Sequence, residues 1–381
     1  MNHNILRTEV QDFINSHLKS DLSKLIFKGS PFEDVSIQEL AAQIESKRKC
    51  ENKLPLWFHT KNIYFPPKLS FEQSSSELTA DYKSKIIKGE NLIDITGGMG
   101  VDALYFAKSF KSIVHCELNT ELSELTQHNF QQLNASNIQC IAGDGIETLK
   151  NHTYKFDWIY TDPARRDSNK NKVFLLSECS PNIPELIDTL FEFSNKILLK
   201  AAPLLDITNG IRELGHTKEV HIVSVNNECK ELLFILEKGY QGPVQYKTIN
   251  LLDEYAQEFE FNEEEQQEVA PLSLPENYLY EPNSSIMKSG GFNSLSATFG
   301  IGKLHPNSHL YTSKKRIEAF PGRAFKIENI LNYDKKNLMK RLPEGKANIT
   351  VRNFRSDVDQ IRKKTKIKDG GDIYLFFTTN R

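Results

Sequence analysis

An acid, a run of glycines and a second acid lie in one short stretch, NLIDITGGMGVD, as Asp94, Gly97, Gly98, Gly100 and Asp102. Glycines without Cβ atoms let a strand turn sharply into a helix and let a ligand approach the backbone. The N–H groups exposed where the helix starts attract an anion. Asp94, just before the turn, is placed to face the cationic part of the same ligand. Two further acids follow at the ends of apolar runs: Glu117 in HCELN and Asp144 in AGDG. After the strands ending at Asp94, Glu117 and Asp144, a fourth apolar run, Phe156–Thr161, reads as the fourth strand; it ends in Asp162-Pro163 of YTDPARR and carries Arg165 and Arg166 behind it.

Gly98-Met99-Gly100-Val101-Asp102-Ala103 also satisfies the G-x-G-x-x-A spacing of a dinucleotide turn. Three features point away from that cofactor. Asp94 precedes the glycines, Asp102 follows them where it would repel a pyrophosphate, and Asp162-Pro163 closes the fourth strand.

The constellation DITGGMGVD, HCELN, AGDG and TDPARR resembles a bacterial family of class I S-adenosylmethionine (SAM) methyltransferases with a C-terminal THUMP-like domain. Phe71–Ser76, Lys200–Asp206, Asn227–Glu231, Val351–Phe354 and Lys368–Asp372 are similar to other segments of that family, so the resemblance spans roughly 71–381. It implies methyl transfer, with an RNA (tRNA or rRNA) nucleotide as the expected substrate. The implied cofactor set is Asp94, Thr96, Gly97, Gly98, Gly100, Asp102, Glu117 and Asp144. In it the glycine turn meets the methionine carboxylate and Asp94 the ammonium; Glu117 accepts the ribose hydroxyls and Asp144 the adenine amine. Asp162 and Pro163 are the implied catalytic residues, and Arg165, Arg166, Arg352 and Arg355 the candidate substrate contacts.

In amino-directed nucleic-acid methyltransferases the acid is followed by Pro-Pro and an aromatic that stacks on the base. Here Ala164 and Arg165 replace the second proline and the aromatic. The arginines can stack on a base or pair with phosphate, or form a salt bridge to the acidic body. Carbon-5 methylation would need a cysteine nucleophile, and only Cys179 and Cys229 lie downstream of the fourth strand, neither beside the Asp-Pro motif. His115 and Cys116 read as core residues, and no metal-ligand spacing occurs in the sequence. Two other classes stay open: an RNA-binding protein whose methyltransferase fold has lost turnover, and a protein or small-molecule methyltransferase. SAM affinity separates the first from an active enzyme.

These residues need elements to hold them. The sequence predicts a helical N-terminal cap over 1–68, in which Ser36–Glu39 has capping-box spacing. Alternating strands and helices over 69–240 predict a doubly wound, Rossmann-like sheet, mostly parallel with one reversed strand. An acidic linker and strand-rich segment is expected over 241–310, with Pro282–Pro306 read as strands and turns. A basic α+β module of ferredoxin-like, THUMP-like character is expected over 311–381. Its charge is distinctive: 18 Lys and Arg against 8 Asp and Glu after residue 310, in a chain whose overall charge is −2. A basic module on an acidic body suits a polyanion. The five scattered cysteines fit reduced thiols in a cytoplasm, and no run is apolar enough to span a bilayer. No metal and no membrane partner are expected, and no oligomeric state is assigned.

Overall fold

The structure is a computed structural model, and it describes residues 1–165, 175–267, 269–342 and 344–379. The chain forms two units: Met1–Lys218 with Leu232–Gln241, and Glu219–Glu231 with Gly242–Arg381.

The first unit begins with helices α1 (Thr8–Ser16), α2 (Leu22–Lys28) and α3 (Ile37–Lys53). They enclose a core of their own, built on Ile5, Val10, Ile14, Leu40 and Ile44. The capping box that opens α3 is formed in both directions: Glu39 N–H donates to Ser36 Oγ at 3.2 Å and Ser36 N–H to Glu39 Oε2 at 2.8 Å. Pro66 and Pro67 then keep the chain extended, and the main chain beside them is satisfied by side-chain amides. Gln43 bonds both backbone groups of Phe65 at 2.8 and 2.9 Å, and Asn129 both of Tyr64 at 2.9 Å.

After α4 (Glu77–Ile86) the pattern becomes strand–helix. The elements are β1 (Asn91–Asp94), α5 (Val101–Phe106), β2 (Ser112–Glu117), α6 (Thr120–Gln132), β3 (Ile138–Ala142), α7 (Gly145–Lys150) and β4 (Trp158–Thr161). They continue through α8 (Ile183–Phe193), β5 (Lys196–Ala201), α9 (Ile207–Leu214), β6 (Thr217–Val225) and β7 (Glu228–Glu237). Leu92, Ile93, Ile197, Leu198 and Leu199 are fully buried, because helices cover both faces of a parallel sheet and leave no alternation along its strands. Within this unit the strand order is β7-β5-β4-β1-β2-β3. β1 pairs in parallel with both β2 and β4, and Leu232–Glu237 of β7 runs antiparallel to β5. The expected mostly parallel sheet with one reversed strand is present. Because β2 and β3 lie on one side of β1 and β4 on the other, the order reverses between β1 and β4. Ligands of such sheets bind in the crevice outside the strand ends at that point.

In the second unit, Glu219–Val225 of β6 pairs in parallel with β8 (Gln245–Leu251), which forms an antiparallel hairpin with β9 (Ala256–Asn262). A four-stranded antiparallel sheet follows, in the order β11 (Gly302–Lys303), β12 (Tyr311–Ser313), β10 (Tyr278–Pro282) and β13 (Gly322–Lys326). The tail adds α12 (Lys335–Lys340), β14 (Asn348–Arg352), α13 (Val358–Thr365) and β15 (Tyr374–Thr378), with β14 and β15 parallel. The reading of Pro282–Pro306 as strands and turns is corrected here: α10 (Ser284–Ser289) and α11 (Phe292–Phe299) occupy much of it. Asn283 caps α10 through its side chain, and Gly290, left-handed at φ 77, ends it. The Gly290-Gly291 pair is therefore a junction between two helices.

Candidate functional site

The ends of β1 and β4 are tied through one threonine. Asp94 ends β1, nearly fully buried, and its Oδ1 accepts from Thr96 N–H at 3.0 Å and Thr96 Oγ1 at 3.3 Å. Asp162 N–H in turn donates to Thr96 Oγ1 at 2.7 Å, which fixes the start of the Asp-Pro motif beside the glycine turn. Burial pushes the Asp94 carboxyl well above its ordinary range, and the Asp102 and Asp162 carboxylates add to that shift against the Thr96 hydrogen bonds.

The turn itself is set by close packing. A Cβ on Gly97 would lie 2.4 Å from the Cys116 carbonyl oxygen, and one on Gly100, at φ 77, would lie 2.3 Å from Phe130. Across it, Glu117 at the end of β2 accepts from Gly98 N–H and from Asn119 N–H, each at 2.7 Å. The Asp144 side chain caps α7, accepting from Ile146 and Glu147 N–H at 2.7 and 3.2 Å. The ends of β1, β2 and β4 thus bring Asp94, Thr96, Gly97, Gly98, Glu117 and Asp162 together.

Asp102 faces inward. Its carboxylate meets Lys83 Nζ at 3.2 Å, Ser75 Oγ at 2.8 Å and the Tyr160 hydroxyl at 2.7 Å, and Lys83 also donates to Ser75 at 3.2 Å. Burial alone would raise its pKa, yet Lys83 and then Lys200, with the Tyr160 and Ser75 hydrogen bonds, outweigh burial and hold it below the usual range. The Lys200 ammonium pairs directly with Asp162. Sequence reasoning gave no role to Lys83, Lys200, Ser75 or Tyr160. The usable signal was Lys200, a charged residue that follows the apolar run Ile197–Leu199 near the end of β5, as Asp94 follows Leu92–Ile93 in β1.

Of the candidate substrate residues, the main chain of Arg165 pairs with Cys179 in a two-residue ladder, and Arg166 lies outside the described residues. In the second unit, Arg352 pairs with Glu281 at 2.8 Å and Arg355 is exposed. Burial pushes the thiols of Cys116 and Cys140 up to about 12 and that of Cys229 to about 11, and Cys179 is buried. His115 is a core residue, its imidazole pushed down to about 4 by burial. Among the described residues no cluster of His, Cys, Asp and Glu could hold a metal, and no helix is long and apolar enough to cross a membrane.

A sheet with this reversal point, an acid–glycine turn at β1 and Asp-Pro at β4 defines a class I methyltransferase fold. Comparison with known proteins agrees. The family model for RNA cap guanine-N2 methyltransferases matches 89–238, a ferredoxin-like domain matches 278–321, and a THUMP domain-like model matches 322–381. An uncharacterized RNA methyltransferase of Mycoplasma mobile is 28% identical over 150 residues, which are 38% of this chain and 41% of that protein. This chain therefore spans less than half the length of that curated relative. A crystal structure from Porphyromonas gingivalis W83, provisionally described as a methyltransferase, is 32% identical with a TM-score of 0.89. That match covers 99% of this chain and 95% of the other. The chain belongs to the family of that protein: class I methyltransferases that carry a ferredoxin-like and a THUMP-like domain.

Proposed function

We propose that the chain transfers a methyl group from SAM to a nucleotide of RNA, with acceptor chemistry centred on Asp162. The observation that carries this reading is the junction of Asp94, Thr96 and Asp162 where the sheet order reverses. Asp94 fits the cofactor because it is a buried carboxylate whose hydrogen bonds, among the described residues, come only from Thr96, so an ammonium group would complete it. The open space over Gly98, where an added Cβ would meet nothing within 4 Å, fits a methionine moiety approaching the backbone. Glu117 would hold the ribose hydroxyls and Asp144 the adenine amine.

When bound, SAM supplies an electrophilic methyl carbon, so the protein's part is alignment and proton handling. Asp162 orients the nucleophile and accepts its proton, Pro163 fixes the turn behind it, and the Lys200 ammonium, paired with Asp162, holds that carboxylate in place. Asp102, held by Lys83 and Tyr160, supports the turn from inside instead of touching the cofactor. Carbon-5 chemistry is disfavoured because Cys179 is buried and burial raises the Cys229 thiol to about 11, as it raises those of Cys116 and Cys140. An RNA acceptor is supported by the RNA methyltransferase model over 89–238, the THUMP-like tail and the tail's positive charge.

The test is transfer of tritiated methyl from SAM to RNA isolated from cells lacking the protein. Wild type should label the RNA. Asp162→Ala should abolish labelling while calorimetric SAM affinity stays within about a few-fold, since the lost carboxylate addresses the acceptor. Near-normal labelling by Asp162→Ala would refute its role, and wild-type binding of NAD in place of SAM would refute the cofactor.

A further inference from the structure

The second unit carries a basic and aromatic surface that the transfer chemistry does not use. At its centre is Glu281 of β10, whose side chain is almost fully buried. One carboxylate oxygen accepts from Arg323 Nε at 3.0 Å and from Arg323 Nη2, and the other accepts from Arg352 Nη2 at 2.8 Å. One carboxylate serving two guanidiniums leaves a fixed positive excess. Nearby positive charge is also felt by His309, which burial, then Lys303 and Arg352, push down to about 4.

The same fork aims Arg323. Its guanidinium carbon lies 5.4 Å from the ring centroids of both Phe325 and Tyr374, which are themselves 4.9 Å apart. Strand alternation places the rings. Phe377 of β15 packs into a core with Leu338, Ala347 and Ile361, whereas its neighbour Phe376 packs with Phe325 against Leu279, Leu304 and Leu310. Tyr374, two residues before Phe376, shares the Phe376 face. It stays 41% exposed, and the Arg323 side chain is 45% exposed.

We infer that Tyr374, Phe325 and Arg323 form a stacking surface for an unpaired base of the RNA substrate. This rests on the RNA reading above and deepens it. A planar guanidinium locked beside aromatic rings matches the π face of any base, and the unbalanced charge around Glu281 matches the phosphates on either side. An acidic peptide would match the charge but leave the exposed ring face without a planar partner. The surface gives affinity for single-stranded or looped RNA without reading its sequence, because every base has a π face.

The experiment uses the full chain and a single-stranded RNA oligonucleotide carrying 2-aminopurine, whose fluorescence falls when the base stacks on an aromatic ring. Wild type should bind and quench the probe. Tyr374→Ala should abolish the quenching and weaken binding by roughly tenfold, with an unchanged thermal melt because the ring is half-exposed. Tyr374→Trp should restore both. If wild type binds the oligonucleotide and Tyr374→Ala binds and quenches equally well, the stacking surface is refuted while the RNA reading stands. If wild type binds neither the oligonucleotide nor cellular RNA, the RNA reading fails and this inference fails with it. A wild-type dimer that Tyr374→Ala converts to monomer would assign the face to a second copy of the chain and overturn the proposal.

Discussion

In the first unit, carboxylates around the glycine turn and the end of β4 are matched by lysines: Lys83 meets Asp102 and Lys200 meets Asp162, while among the described residues Asp94 has only the Thr96 donors. In the tail of the second unit, after residue 310, the proportion is reversed. Glu281 serves two arginines, and Lys335, Lys336, Lys340, Arg355, Lys363, Lys366 and Lys368 are exposed. On the proposed function, a cation beside Asp94 would complete the first unit and an anion along the tail would complete the second. A sulfonium cofactor with an ammonium group and a polyanionic substrate are ligands of those two signs. The difference also separates kinds of stabilisation: buried pairs hold the fold, whereas exposed cations act through screened, long-range attraction.

The sharpest break of this contrast removes a buried partner. Lys83→Met leaves the Asp102 carboxylate buried without its nearest cation and should destabilise the protein by about 3–5 kcal/mol, read by denaturant unfolding. A loss below about 1 kcal/mol would mean that the pair behaves like a surface ion pair. Next in size is Glu117→Ala. Removing a charge-assisted acceptor for the ribose should weaken SAM binding by about 1.5–3 kcal/mol in calorimetry. Unchanged affinity would place the ribose elsewhere.

The exposed half of the contrast is probed with salt. If roughly four tail cations meet phosphates, log affinity for RNA should fall against log salt with a slope of about −3. SAM affinity should be nearly flat over the same range. A salt-insensitive RNA complex would shift the weight to a protein or small-molecule substrate.

The smallest effect expected is a proton. Because the folded protein raises the Asp94 pKa, this group's contribution to stability is full below the ordinary carboxyl range and is lost as pH rises through the folded value. A cofactor ammonium beside Asp94 favours the ionised form, so SAM binding should release a proton and tighten as pH rises through that value. Calorimetry in buffers of different ionisation enthalpy reads this directly, and proton uptake would contradict the placement of the ammonium at Asp94.

Much of the first unit was legible in the sequence because its signals are local. The Ser36–Glu39 box, the acid-ended apolar strands and the glycine turn each depend on neighbouring residues, and each is where the pattern put it. The environment of Asp102 was not legible, since its partners Ser75, Lys83 and Tyr160 come from distant parts of the chain. In the second unit the β8–β9 hairpin was hidden by composition. Phe259 and Phe261 face inward between Glu258, Glu260 and Asn262, a period of two carried by a strongly acidic run. The helices α10 and α11 were masked by Gly290-Gly291, whose flexibility looks the same in sequence whether it joins strands or helices.

That the acid cluster at β1 and β4 serves methyl transfer to RNA is the proposal on which the rest depends. Its most direct test is comparative mapping of modified nucleosides in RNA from cells with the gene, without it, and complemented with Asp162→Ala. One methylated nucleoside should disappear on deletion, return with the wild-type chain and stay absent with the variant. An unchanged set of methylated nucleosides after deletion, or full restoration by Asp162→Ala, would contradict it.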